Sequence, residues 1–548
     1  MTIEKNLFFC RINTIEFYNF RNIQQGVIEF PNSKTVDFLE GNPSIIGLYG
    51  QNGSGKSSVI MALGMLKNLL SGKRLGNNYL SCVRYGDDRC KLVFSFALYN
   101  KLIGDNGDVL GAREDSTCYE VEYEVEIQKS LEEDEIDAIS SKHPKETLKI
   151  GYEIIKYRMT DHTGCVKITK QTIFDTRDRG LRKKSYIFGS ELKEQLFTAF
   201  DDDVLQQYRE ALAISTANSQ SFIFSAKTIK LLEKAISSDF EYLEEEYQPA
   251  SEILASANTL SEFKGRLIDE MSKNDDSRMM MQLSVFLLTP YSLITNLRLF
   301  GSSYLHVVDT VTTGLTNINT QLPLLLWGRS ESNTLYNFQM SLQMDGPSTV
   351  SEKYYDFVKG SLNDVSNVLK KIVPGVSLSF IDLGQQISSN NEESHCFEIL
   401  SERGGTTIPL RYESDGIRRI VSILSLLIAA YNDASFTIAI DEIDSGIFEY
   451  LLGELLLVMS ESIKGQLIFT SHNLRPLEVI PSKYLCFTTT NPEKRFIKLA
   501  SRGNSNLRDT YFRNIVLNSY KDGIYNPTDK YEIELAFYMA GHKEGQHE

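Results

Sequence analysis

The sequence predicts an α/β protein, and three observations carry that expectation. A short apolar strand, Ser44–Tyr49, stops at a glycine-rich loop from which the helical pattern Ser57–Leu70 departs. Two more short apolar runs, Phe436–Ile440 and Gln466–Thr470, come much later in the chain. Helices with 3.6-residue apolar spacing, Ile417–Tyr431 and Tyr450–Ser462, precede and separate them. Continuous rather than alternating apolar runs are the pattern of strands covered on both faces.

The remaining elements follow in order. Arg11–Phe20 and Gln25–Phe30 carry β-branched and aromatic residues in short runs, as strands do. Arg89–Leu98, Cys118–Ile127, Gly151–Met159 and Val166–Phe174 read as a strand meander, with unbroken alternation over Tyr119–Val125. From about Glu191 to Phe300 long side chains and few glycines predict helices, without the sustained heptads of a long coiled coil. Ser351–Ile372 is predicted as a helix ended by Pro374-Gly375. Val376–Asp382, Cys396–Ser401 and Thr407–Leu410 are predicted strands, with Gly404-Gly405 as a turn. The expected organisation is a first part of an α/β head over 1–185, a mainly helical insertion over 186–345, and a second part of that head with a tail over 346–548.

Composition narrows the class. At 548 residues more than one structural unit is expected, and 42% hydrophobic with 24% charged residues is ordinary for a globular chain. A net charge of −15 argues against wholesale coating of nucleic acid. The seven cysteines are scattered without a C-x-x-C, which argues against a disulfide framework or a zinc knuckle. Met1–Asn6 lacks the apolar core of a signal peptide, and Leu283–Phe300 and Ile420–Tyr431 are too short or too broken to span a bilayer. A reduced, soluble, cytoplasmic protein without a membrane partner is therefore expected.

Gly50-Gln51-Asn52-Gly53-Ser54-Gly55-Lys56-Ser57 is a complete G-x4-G-K-S between a buried strand and a helix, with Ser58 following in the first turn. The glycines let backbone N–H groups of Asn52, Gly53, Ser54 and Gly55 converge on phosphates, aided by the helix N-terminus. Lys56 is expected to neutralise the β- and γ-phosphates of ATP and Ser57 to ligand Mg²⁺. A glycine-rich turn that fits by chance is the bland alternative, and the strand–loop–helix context speaks against it.

Asp441-Glu442 ends the apolar run Thr437–Ile440, at the strand end where ligands of parallel sheets bind. Asp441 is expected to hold Mg²⁺ through water, and Glu442 to orient and deprotonate the attacking water. Alone, such a pair would more often be a loop cap. Ser414-Asp415-Gly416 starts the helix Ile417–Tyr431, where a serine and free N–H groups suit an anion and Arg418-Arg419 add positive charge. A plain N-cap is the competing reading. His472, after the strand Gln466–Thr470, stands within the order expected of a γ-phosphate contact, although a lone histidine is more often structural.

Taken in order, the phosphate loop, Ser-Asp-Gly, Asp-Glu and Ser-His resemble an ABC-class ATPase head. The Asn19-Phe20-Arg21 corner and the run Asp441-Glu442-Ile443-Asp444-Ser445-Gly446 resemble the RecF/SMC-like branch. By that resemblance Arg21 joins the ATP contacts, Ser414, Asp415 and Gly416 reach the nucleotide of a second copy in a homodimer, Asp444 signals across the interface, and His472 is the switch histidine. One departure is the missing glutamine loop. No glutamine lies between Gln51 and Gln128, so either another residue substitutes or hydrolysis is slow.

The run Asp441–Phe448 together with Phe469–Leu477 is similar to the PtuA-type ATPases of Septu and retron-linked anti-phage systems. That resemblance implies a separate HNH nuclease subunit and, in a retron-linked copy, a reverse transcriptase with its RNA–DNA product. The stretch after His472 is shorter than a typical ~100-residue domain, unlike the Toprim extension of OLD-family nucleases. The chain is therefore expected to cut nothing itself. The basic run Arg177–Lys184 suits a phosphate backbone, but without interleaved aromatic residues a solvated loop is the better reading. Three roles fit the sequence: an ATP-gated regulatory subunit of a defence complex, a RecF-like repair ATPase that clamps DNA, and, least well, a transport ATPase.

Overall fold

The computed structural model describes residues 8–32, 41–103, 109–112, 118–132, 145–160, 166–177, 202–233, 289–309, 321–329, 335–387, 393–499, 507–517, 523–525 and 528–541. The chain begins with β1 (Phe8–Phe20) and β2 (Ile23–Glu29), then β3 (Ser44–Tyr49) and helix α1 (Lys56–Leu70). Strands β4 (Arg89–Ile103), β5 (Val109–Ala112), β6 (Cys118–Glu132), β7 (Lys145–Thr160) and β8 (Val166–Asp175) follow. They join β1 and β2 in an antiparallel sheet of order β2-β1-β4-β6-β7-β8, with β5 on β4.

Alternation along β6 explains that sheet. Val121, Tyr123, Val125 and Ile127 are buried, while Glu120, Glu122, Glu124 and Glu126 face outward. The outward carboxylates pair with basic residues of β4, β7 and β8: Arg158 meets Glu120, Lys170 lies 2.7 Å from Glu122, and Lys91 lies 3.7 Å from Glu124. One face packs and the other is solvated, as antiparallel sheets allow.

Helix α2 (Asp202–Ala217) and the helical stretches 226–233 and 289–299 come next. A π-turn at Phe300–Tyr304 then leads into β9 (Leu305–Val308). Strands β10 (Gln321–Arg329) and β11 (Leu335–Gln343) form a hairpin. Beyond it lie β12 (Ser348–Ser351), α3 (Glu352–Ile372), β13 (Val376–Ile387), β14 (Glu393–Arg403) and β15 (Thr406–Pro409); the four strands make a second antiparallel sheet. The chain continues through α4 (Asp415–Asn432), β16 (Thr437–Ile440), α5 (Glu449–Ser462), β17 (Gln466–Thr470) and α6 (Pro476–Val479). It ends with β18 (Leu485–Thr488), β19 (Phe496–Ile497), α7 (Leu507–Leu517) and α8 (Lys530–Gly541).

The central sheet has the order β19-β18-β3-β17-β16-β9, parallel throughout except for β19. Because successive side chains leave a strand on opposite faces, this sheet divides two cores. Ile46 and Leu48 of β3, Ala439 of β16 and Ile468 of β17 meet α1 and the first antiparallel sheet. Ile45 and Tyr49, Ile438 and Ile440, and Leu467 and Phe469 meet α3, α4 and α5 on the other side.

Of the stretch 186–345, expected as a mainly helical insertion, 186–201 and 234–288 lie outside the described residues; 202–217, 226–233 and 289–299 are helical, and strands follow only from Leu305. β9 is a strand of the central sheet, paired residue for residue with β16, and the β10–β11 hairpin packs on α3 and α4. Four residues after a helix carry too little periodicity to be read as a strand; only the ladder to β16 defines them. Arg177 is tied to its neighbour Asp175, and the rest of the basic run, 178–184, lies outside the described residues. Among the described residues no helix is long and apolar enough to cross a membrane.

Candidate nucleotide site

The C-terminal ends of β3, β16 and β17 open on one cleft of about 810 Å³. Its floor is the loop between β3 and α1. Gly50, Gly53 and Gly55 have φ of +152°, +76° and +103°, conformations that L side chains rarely adopt. A Cβ on Gly50 would in addition overlap the hydroxyl of Thr488. Lys56 Nζ donates to the carbonyls of Gly50 (2.8 Å) and Gln51 (3.2 Å). Burial pushes its pKa down, while Asp441, Glu442 and Asp444 oppose that shift.

Ser54 turns away from the cleft. Its hydroxyl donates to Gln51 O at 2.6 Å and touches Thr488 Oγ1, which itself donates to Tyr49 O at 3.1 Å. Asn22 holds the loop from the other side, donating to Gly53 O and accepting from Ser58 Oγ at 3.3 Å. Arg495, buried, donates to Asn22 O and to Thr489 O (2.7 Å). Asn19, at the end of β1, and Arg21, in the turn after it, adopt φ of 51° and 52°, and Arg21 lines the cleft.

Opposite the loop, Asp441 is fully buried. Its Oδ1 accepts from Thr470 Oγ1 at 2.6 Å and from Ser57 Oγ at 3.1 Å, so the strand β17 and the helix α1 both aim a hydroxyl at one carboxylate. Thr470 Oγ1 accepts in turn from Glu442 N at 2.8 Å. Glu442 has φ +48°, and its side chain lines the cleft. Asp444 Oδ2 accepts from the main-chain N–H of His472 (2.9 Å) and of Asn473 (2.8 Å), so the loop after β16 carries the loop after β17.

Of the residues singled out in the sequence, Arg21, Asn52, Gly53, Gly55, Lys56, Ser57, Ser58, Glu442, Asp444 and His472 line this cleft. Gly50, Ser54 and Asp441 stand behind its wall. Ser414, Asp415 and Gly416 do not line this cleft. Ser414 caps α4, its Oγ accepting from Ile417 N at 3.4 Å, and Gly416 lies against Gly446 of the loop that carries Glu442 and Asp444.

Of Arg418 and Arg419, expected to add positive charge at the helix start, only Arg418 stays near the surface. Arg418 pairs with Asp415 at 2.6 Å, and Arg419 turns into the interior with 1% of its surface exposed. Gln128 sits within β6 opposite Arg89, far from a loop role. Sequence reasoning left Asn22 unnamed and gave Thr470 and Ser445, though within quoted runs, no role of their own. Asn22 follows the Asn-Phe-Arg corner and Thr470 precedes Ser471-His472, so position beside a motif was the available signal.

A family model described as AAA ATPase domain matches residues 11–475, from β1 through the loop after β17. The chain belongs to this ATPase family. It is an ATPase and binds ATP, and its fold is α/β: a parallel sheet with the glycine-rich loop after β3 and the acidic pair after β16, flanked by antiparallel sheets. Among solved structures this AAA-family ATPase is similar to an Smc head domain with an extended coiled coil, bound to the C-terminal domain of ScpA, from Pyrococcus furiosus. That likeness is 11% in identity, covers 93% of this chain and 100% of that one, and has a TM-score of 0.32. It is similar also to the recombination mediator RecF with ATP, at 13% identity, 85% and 94% coverage and a TM-score of 0.29. No curated protein matches the ATPase in sequence.

Proposed function

We propose that two copies of this ATPase close face to face on two ATP molecules, each held by the phosphate loop of one protomer and the Ser414-Asp415-Gly416 turn of the other. The observation that carries this is the placement of that turn. It does not line its own cleft yet packs on Gly446, so it shares an outer face with the loop bearing Glu442 and Asp444.

In this reading the N–H groups of Asn52, Gly53, Ser54, Gly55, Lys56, Ser57 and Ser58 cradle the phosphates and Arg21 flanks them. Lys56 Nζ moves from the loop carbonyls to the β- and γ-phosphate oxygens. The donor set also fits a magnesium ion. Ser57 Oγ, in the cleft, would hold the ion directly, and the buried Asp441, whose Oδ1 lies 3.1 Å from it, would hold it through water. Bound there, the ion would supply charge neutralisation at the phosphates. Glu442 accepts a proton from the water that attacks the γ-phosphorus as the bond to the β-phosphate oxygen breaks, leaving ADP and phosphate. His472 faces the γ-phosphate, and Asp444 fixes the loop that carries it.

Mixing two inactive variants tests the composite site. Lys56→Ala and Ser414→Arg are each expected to abolish turnover, while their mixed dimer contains one intact site and regains activity. A mixture as inactive as its parts overturns the arrangement.

The ATPase is further proposed to be a cytoplasmic regulatory and scaffold subunit whose nucleotide state controls a separate HNH nuclease in an anti-phage complex. The likeness of Asp441–Phe448 and Phe469–Leu477 to PtuA-type ATPases supports this. Purification of Glu442→Gln with ATP from its native genetic neighbourhood tests it. Recovery of a nuclease subunit, with or without a reverse transcriptase and its RNA–DNA product, is expected. A lone dimer carrying heterogeneous DNA would instead establish the RecF-like repair role.

A further inference from the structure

Arg419 is among the largest fully buried side chains among the described residues, on a helix face it shares with Ser422, Ile423 and Leu426, all buried. A guanidinium is costly to bury and is retained there only for what it holds. Its Nη2 donates to two consecutive carbonyls, Asp441 O at 3.0 Å and Glu442 O at 3.3 Å. Among the described residues, Nε and Nη1 are buried without a hydrogen-bond partner. Thr470 Oγ1 holds the N–H of the same Glu442. The Asp441–Glu442 main chain is therefore gripped from both sides, and Glu442 keeps φ +48°, a conformation that a non-glycine residue needs outside help to maintain.

We infer that Arg419 is a positioning residue that links the Ser414-Asp415-Gly416 turn to Glu442. It rests on the reading of Glu442 as the base. Arg419 lies about one turn into α4, and Ser414 caps that helix. A helix moves as a rigid body, so a shift of its first turn on meeting a nucleotide held by the second copy displaces the guanidinium and the Glu442 carbonyl with it. The two unpartnered nitrogens mark the side chain as able to regroup its hydrogen bonds when α4 moves. The structure thus provides a route by which seating of ATP on the α4 turn adjusts the base of the same protomer.

The test is the full-length chain carrying Arg419→Met or Arg419→Lys, measured for affinity toward a fluorescent ATP analogue and for kcat and KM. Arg419→Met is expected to lower kcat on the order of 10- to 100-fold, the penalty of a misplaced catalytic group, with ATP affinity and KM within about threefold. Arg419→Lys, which keeps a donor, recovers part of the loss. In a Glu442→Gln background Arg419→Met adds nothing. Should Arg419→Met fail to fold, Arg419→Lys decides: a several-fold fall in kcat at unchanged ATP affinity supports the link, and an unchanged kcat overturns it. Equal loss of ATP affinity and kcat in both variants also overturns it, because that is the signature of a merely structural residue. Glu442→Gln measured alongside separates the two readings. Wild-type turnover in it defeats the base assignment, whereas an inactive Glu442→Gln beside an unaffected Arg419→Met defeats only the link.

Discussion

Gly416, in the first turn of α4, packs against the carbonyl of Gly446 so closely that any Cβ on it would overlap that oxygen. Gly416 does not need an unusual backbone angle, so the contact alone forbids a side chain. Gly446 itself has φ +75°. The two glycines therefore weld the start of α4 to the loop that carries Glu442 and Asp444. Gly416→Ala is expected to cost about 1–3 kcal/mol of stability, as overpacking does. It should also reduce ATP turnover at least tenfold while leaving the ATP affinity of the single chain intact. Thermal melts and nucleotide titration beside steady-state kinetics check both parts.

Asp444 is expected to act first through its own chain. Its Oδ2 accepts two main-chain N–H groups, those of His472 and Asn473. Asp444→Ala leaves both donors without that partner, a loss of roughly 1–3 kcal/mol in local order. The expected result is retained ATP binding with turnover lowered to the level of His472→Ala, and no further loss in the double variant. An additive double variant would show that the two residues act separately.

The glycines of the phosphate loop differ in what holds them. Gly50 combines φ +152° with a clash against Thr488, whereas Gly53 has φ +76° and open space where a Cβ would stand. Gly53→Ala should cost only the ~1 kcal/mol of a left-handed non-glycine residue. Gly50→Ala adds overpacking of about 1–3 kcal/mol and should melt several degrees lower. Calorimetry of the pair reads the difference directly.

Lys67, in the last turn of α1, has its pKa lowered to about 8 by burial and by the neighbouring charge of Lys73. In the unfolded chain the group titrates near 10.5. Between these values the unfolded state binds more protons, so stability rises with pH; below about 8 the penalty of the buried charge is present in full. Lys67→Met should be more stable than the native protein by about 1–2 kcal/mol at pH 7, after discount for partial exposure. That advantage should shrink steadily as pH rises toward 10. Denaturant midpoints at pH 7 and pH 9.5 test the trend, and a constant gap would refute it.

The local chemistry of this protein was legible in its sequence because each piece is contiguous. Gly50–Ser57 reads as a glycine-rich loop between a strand and a helix, and the structure has it there, because the motif and its flanking elements stand in one stretch of chain. The apolar runs Thr437–Ile440 and Gln466–Thr470 announce buried strands through composition alone. Tertiary structure decided whatever depends on a partner far along the chain. β9 became a strand only by pairing with β16, because four residues carry no readable period. Asn22 grips a loop carbonyl at Gly53, Thr470 joins Asp441 to Glu442, and Arg419 leaves the helix surface to hold the main chain beside β16. No spacing rule links such residues, since hydrogen-bond partners and close glycine contacts are set by how the central sheet stacks its helices and not by order in sequence.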